Sequence, residues 1–288
     1  MSLPSSGQIA MSNLISNSDS PSSNVSLKNM TIYTYNAAGV SQSTPYALSH
    51  FYGLNFQPIS SNLFCYLDFG RGSYGGSGTT LTDLAANISP TVVGSPSFTA
   101  GSNGYFTFNG SSSTYIETSQ TVTGFASSGF TLIAIASTPA YTNRSVLWDK
   151  SAPANPPGFT SEIGTIGSPY DTNGTRFWIS DNTNNLESDS NNTVTLNNQI
   201  YMFSYVWNNS TKTATTYINT TSVASTTNSS MGNFSSNTAH TLRYGMSPYG
   251  AVSYTNLYIG MVYSAPLTST QITQNYDAFA IRFGLTPV

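Results

Sequence analysis

The chain is poor in charge. Asp, Glu, Lys and Arg make up 7% of its 288 residues, against roughly 25% in an ordinary soluble protein. Eight Lys and Arg are scattered along it and the net charge is −3. A nucleic-acid binder needs clustered cations to displace counterions from phosphates, so DNA and RNA are excluded as main partners. One cysteine, Cys65, rules out an intrachain disulfide and a cysteine-based structural zinc site. It stands in the apolar run NLFCYLDF and is expected to be a small buried hydrophobe. Only two histidines occur, His50 and His240. A Ser/His/Asp triad would need one of them, and both are expected to be structural. No apolar run approaches the roughly 18 residues of a helical membrane span, so no membrane insertion is expected. The opening stretch LPSSGQIAMSNL (Leu3 to Leu14) has no basic flank, apolar run or small-residue cleavage site, and is expected not to act as an export signal.

Ser, Thr, Asn and Gly take the place of charge, alongside 19 Tyr and 15 Phe. With 13% aromatic and 38% hydrophobic residues the chain can bury a sizeable core, which argues against disorder. Short β-prone runs alternate with Gly/Asn/Ser/Pro punctuation, the signature of an all-β protein. NLFCYLDFG opens a strand series that continues through LTDLAAN, GYFTFNG, STYIETS, FTLIAIAS, RSVLWDK, TSEIGTI, TRFWIS, IYMFSYVW, ATTYINT, LRYGM and NLYIGMVYSA. Phe106 and Phe108 share a face by period two. FTLIAIAS (Phe130 to Ser137) is nearly continuous in apolar character, as a strand covered on both sides would be. One helix is predicted near the end. Thr268 and Gln271 have capping-box spacing, and Ile272, Tyr276, Phe279 and Phe283 follow as one stripe. Gly284 is placed to end it and Pro287 to stop any continuation. Turn signals at short intervals give the strand series the pattern of a sandwich or barrel, and the helical stripe is expected to lie on it. Residues 1–57 contain only short apolar clusters, too little for a core of their own, and are expected to lean on a larger assembly.

The segment from LFCYLDFGRGSYGGSGTTLTDLAAN through GYFTFNGSSSTYIET resembles the first half of a concanavalin A-like lectin/glucanase domain of the laminin-G-like type. FTLIAIAS is similar to its central strand, YVWNNSTKTATTYINTTSVAS to a following strand pair, and NLYIGMVYSAPLTSTQITQNYDAF to its closing strand and helix. Leu81 stands where that pattern usually has Trp, and Asn219-Thr220 where it usually has Asn-Gly. The resemblance implies an antiparallel β-sandwich (jelly roll) over residues 62–288, with one C-terminal helix. The stretch LPSSGQIAMSNL…VSLKNM…ALSHFYGLNF resembles a short module at the start of tailed-phage structural proteins. It implies that residues 1–57 dock onto a virion or onto sister chains in a homo-oligomer, and that the protein resides in the virion and is released by cell lysis.

The resemblance also implies where chemistry is to be sought. Hydrolases of this sandwich class use paired carboxylates on one strand, and retaining enzymes need the two groups about 5 Å apart. The only glutamates are Glu117, Glu162 and Glu187. Glu187 and Asp189 in NLESDSNN come nearest in spacing, in what reads as a polar loop, so no enzymatic activity is expected. Asp68 is expected to hold a turn. No cofactor is expected; calcium, which lectins of this fold often hold, would draw on Asp171 and Asn173 or on Asp181. Asn-x-Ser/Thr sequons at Asn24, Asn87, Asn109, Asn173, Asn219 and Asn233 follow from composition. Sugar binding needs aromatic faces beside polar groups. Two loops repeat Ser-Pro-Tyr, and Tyr170, Asp171, Asn173, Tyr249 and Tyr254 are the expected carbohydrate contacts. Trp148, Trp178 and Trp207 fall in strands and are expected in the core. The expected function is a non-enzymatic virion structural protein (tail fibre, head fibre or decoration protein) that presents this sandwich to host-surface glycans. The alternatives are an assembly subunit without sugar binding and a glycan hydrolase.

Overall fold

The computed structural model describes residues 58–118, 128–138, 144–151, 158–164, 174–190, 198–232, 241–247, 250–280 and 282–285. The expected docking module, residues 1–57, lies outside the described residues, as do both histidines.

Residues 62–267 form one compact unit. Its described residues form fifteen strands: β1 (Leu63–Asp68), β2 (Pro90–Val93), β3 (Ser97–Thr99), β4 (Tyr105–Thr107), β5 (Tyr115–Thr118), β6 (Gly129–Ser137), β7 (Ser145–Asp149), β8 (Gly158–Gly164), β9 (Gly174–Ser180), β10 (Asn185–Ser190), β11 (Ile200–Asn208), β12 (Thr213–Ile218), β13 (Thr221–Thr227), β14 (Arg243–Tyr244) and β15 (Asn256–Tyr263). They make two antiparallel sheets. The eight-stranded sheet runs β13-β12-β11-β6-β15-β4-β3, with β1 also paired to β15; the seven-stranded sheet runs β10-β9-β8-β7-β14-β5-β2. The chain is thus all-β, an antiparallel sandwich with one C-terminal helix, as its punctuated β-prone runs predict.

Period-two alternation sets the core. Phe130, Leu132, Ala134 and Ala136 of β6 face the partner sheet beside Tyr201, Phe203, Tyr205 and Trp207 of β11. Phe159 and Ile163, Phe177 and Ile179, and Leu186 meet them from β8, β9 and β10. Each large apolar side chain so buried contributes about 1.5–3 kcal/mol. All nine residues of β6 are buried, in keeping with its continuous apolar reading. Cys65 is buried, as expected.

Three side chains place a polar tip on a partner of the opposite sheet. The Trp148 indole donates to the Ile133 carbonyl at 3.2 Å, and the Tyr205 hydroxyl meets Thr175 Oγ1 at 2.7 Å. Thr216 Oγ1 donates to the Ser188 carbonyl at 3.1 Å. Such pairing offsets the cost of burying the polar group. Gly260 makes room for the first of these, since a Cβ there would stand 3.0 Å from Trp148 Cζ2.

LTDLAAN is not a strand. Residues 81–87 turn around the buried Asp83, whose carboxylate accepts the backbone N–H groups of Tyr66, Ala85, Asn87 and Ile88 at 2.7–3.1 Å. Four donors on one carboxylate outweigh the weak β-propensity of the segment. Asp68 does hold a turn: its carboxylate accepts Gly70 N and its carbonyl accepts Arg71 N and Ser73 N. At the β12–β13 turn Asn219 takes φ +55° and its side chain accepts Met202 N at 3.0 Å. Asparagine tolerates that conformation, so the departure from Asn-Gly costs the turn little.

The described residues 58–61, 268–280 and 282–285 belong to a second unit. Its helix α1 (Ser269–Ala280) starts with the expected capping box: Gln271 Oε1 accepts Thr268 N at 2.9 Å, and Thr268 Oγ1 accepts Gln271 N at 3.3 Å. Ile272, Tyr276, Phe279 and Phe283 are buried. Gly284 adopts φ +66° and Leu285 N returns to the Ala280 carbonyl at 2.8 Å, closing the helix. Asn275 Oδ1 accepts Ile59 N at 2.8 Å.

Candidate functional site

The strands of the seven-stranded sheet carry five of the chain's eleven acidic residues, Glu117, Asp149, Glu162, Glu187 and Asp189, and two of its eight basic ones, Arg176 and Arg243, with Arg144 just before β7. Register puts these side chains on the face turned away from the core. One row runs Thr91, Glu117, Arg243, Asp149, Thr160, Trp178, Glu187 from β2 to β10. A second runs Val146, Glu162, Arg176, Asp189. Directly opposed residues of antiparallel strands share a face, so both rows lie on the outer side of the sheet.

Two expectations are corrected here. Trp178 is absent from the buried core; it is half-buried on the outer face, directly opposite Thr160 and Glu187. In TRFWIS the inward positions belong to Phe177 and Ile179, which leaves Arg176 and Trp178 outward by the period of two. Glu187 and Asp189 do not sit in a polar loop but on strand β10, whose one apolar anchor is Leu186. Trp148 and Trp207 are core residues, as expected.

The ion pairs form two sets, Arg144–Glu162–Arg176–Glu187 and Arg243–Glu117. Arg144 Nε lies 3.0 Å from Glu162 Oε1, and Arg176 Nη1 lies 3.9 Å from Glu162 Oε2. Arg176 Nη2 bonds Glu187 Oε1 at 2.5 Å, and Arg243 Nη2 holds Glu117 Oε1 at 2.9 Å. Arg243 also stacks on Tyr115, 4.7 Å from the ring centroid. Burial lifts Glu162 to about 7, even though Arg144 and Arg176 favour its charged form. Burial, and then the Glu187 charge, lift Asp189 to about 7 against the pull of Arg176. Asp149 is fully buried and raised by that burial; its carboxylate accepts Ser151 N, Ser151 Oγ and Thr160 Oγ1.

Exposure divides these residues. The Glu162 side chain is 2% exposed, while Arg176, Glu187 and Arg144 reach 17%, 29% and 36%. Trp178, Arg176, Glu187, Asp189 and Arg144 are the part-exposed members, while Glu162 and Asp149 are buried.

Of the expected carbohydrate contacts, Tyr170, Asp171, Asn173 and Tyr249 lie outside the described residues. Tyr254 is half-buried, with its ring packed where a side chain at Gly110 would otherwise stand (φ +82°) and its N–H given to Ser145 Oγ at 3.1 Å. Asp181, the other calcium candidate, spends its carboxylate on the backbone N–H groups of Thr183, Asn184 and Gly232. Burial would raise it, and these amides hold it down at about 2. Among the described residues no three His, Cys, Asp or Glu side chains gather as a metal site.

No family model and no curated protein matches the chain. Solved structures do. The binding domain of Paraclostridial Mosquitocidal Protein 1 aligns at TM-score 0.59 and 12% identity, over 76% of this chain and 52% of that one. The binding domain of botulinum neurotoxin DC in complex with SialylT aligns at 0.55 and 14%, over 77% and 52%. Domain 4 of the extracellular GH43 arabinanase AbnA from Geobacillus stearothermophilus, in complex with arabinotriose, aligns at 0.57 and 15%, over 75% and 98%. The chain spans about half the length of the toxin binding domains it matches, and the whole length of the arabinanase domain. At these identities the likeness is one of fold: the chain shares the β-sandwich of binding domains.

Proposed function

We propose that this protein is a non-catalytic glycan-binding sandwich, and that its sugar site is the outer face of β8, β9 and β10 around Trp178. The half-exposed Trp178 carries the reading. An indole is an apolar plate for the C–H face of a sugar, and Arg176, Glu187 and Asp189 around it offer hydrogen bonds to hydroxyls. A similar sandwich seen with arabinotriose supports it. Tyr170, Asp171 and Asn173 lie between β8 and β9 in the sequence. They and Tyr249 extend the proposed contact surface, with Tyr254 in a supporting position.

The setting we propose is a virion surface, with residues 1–57 docking the chain to the particle or to sister chains. A single shallow site would bind at about millimolar, roughly −4 kcal/mol. Many copies would raise avidity by about 10²–10⁴.

Glycan hydrolysis is a second reading, favoured by a carboxyl group held at about 7 beside other carboxylates. The side chain concerned, Glu162, is 2% exposed and tied to Arg144, so binding is preferred. A glycan array probed with the full chain and with Trp178→Ala tests the main reading. Reproducible sugar binding that the variant loses is expected. Silence across host polysaccharides would overturn it, and steady release of reducing ends would favour hydrolysis. Antibody labelling of purified particles tests the setting; failure to find the chain on them would refute it.

A further inference from the structure

We propose that the Trp178 face selects uncharged, hydroxyl-rich sugars and rejects acidic ones such as sialic and uronic acids. The inference rests on the glycan-binding reading and specifies the ligand's charge. Every arginine of the face is already committed. Arg144 holds Glu162, Arg176 holds Glu187 and Glu162, and Arg243 holds Glu117 and stacks on Tyr115. Carboxylates outnumber guanidinium groups five to two over the two rows, and five to three with Arg144, which precedes β7. The surplus lies at Trp178 itself: Glu187 is its cross-strand neighbour and Asp189 stands two residues further along β10.

An acidic sugar stacked on Trp178 would bring its carboxylate beside Glu187 and Asp189. To gain a cation it would have to displace Glu187 from Arg176, a contact of 2.5 Å, and so break that ion pair. A neutral sugar needs no such exchange. Its hydroxyls donate to Glu187, 29% exposed, while the ion pair stays in place. Discrimination thus comes from a repulsive element already built into β10.

The test uses the full chain and matched probes: one galactose-terminated oligosaccharide with and without a terminal sialic acid, and neutral glucan beside hyaluronan, by calorimetry at pH 8, where the acids are ionised. The neutral member of each pair should bind at least about tenfold tighter. Trp178→Ala should abolish that binding. Glu187→Gln, which removes one charge at nearly constant shape, should narrow the gap between members. Equal or tighter binding of the acidic members, lost in Trp178→Ala, would overturn the charge selection and leave glycan binding at this face standing. Binding that Trp178→Ala leaves intact would overturn the choice of face. No binding of any probe would overturn the glycan-binding reading itself, and this inference with it.

Discussion

Glu162→Gln isolates the most unusual electrostatic feature of the sheet. Glu162 is an ordinary carboxyl in the unfolded chain and titrates at about 7 in the folded one, raised chiefly by burial. The folded state therefore keeps its proton between the unfolded value near 4.5 and about 7, where the unfolded state has lost its own. The unfolded state binds fewer protons in that window, so stability falls as pH rises through it and levels off above 7. For this one group the loss is about 1 kcal/mol at pH 5 and about 3 kcal/mol at pH 8, at 1.36 kcal/mol per pKa unit. Glutamine copies the protonated shape and cannot ionise. Glu162→Gln should therefore be nearly as stable as the parent below pH 4.5 and more stable by about 3 kcal/mol at pH 8. Asp189 titrates in the same direction in both proteins and largely cancels in the difference. Urea denaturation at pH 4.5, 6 and 8, followed by tryptophan fluorescence, measures the gap. Parallel stability curves, or a variant weaker than the parent at pH 8, would show that the Arg144 and Arg176 pairs outweigh the burial of Glu162 and would refute the reasoning.

Other perturbations follow from the packing. Gly260→Ala pushes a methyl against Trp148, and should cost about 1–3 kcal/mol in urea melts. Asp83→Ala strands four backbone N–H groups, for an expected loss of about 3 kcal/mol and faster amide exchange at Tyr66 and Ile88. Thr268→Ala removes the acceptor for Gln271 N and should cost about 1 kcal/mol, visible as earlier amide exchange in the first turn of α1.

What could be read in advance was whatever depends on neighbours along the chain. The continuous apolar run of FTLIAIAS and the alternation in GYFTFNG identified strands, and Thr268, Gln271 and Gly284 marked both ends of the helix. Low charge, one cysteine and two histidines argued against nucleic-acid, disulfide and triad chemistry without reference to a fold. LTDLAAN misled because its decisive interaction is a carboxylate reaching Tyr66 N, 17 residues away. The site was half legible. In TRFWIS the same period of two that buried Phe177 should have turned Trp178 outward, but tryptophan's apolar bulk argued for the core. In NLESDS a single leucine among polar residues left the period without weight.

Residue order thus determined the elements, the inner faces and the poverty of charge. Only tertiary structure decided that Glu117, Glu162, Arg176, Glu187 and Arg243 meet on one face. Strand order is chosen by which apolar faces close the core together, and the outer side chains are carried along with them. Their proximity, the burial of Glu162 and the exposure of Trp178 are consequences of that closure, which no local stretch of sequence encodes.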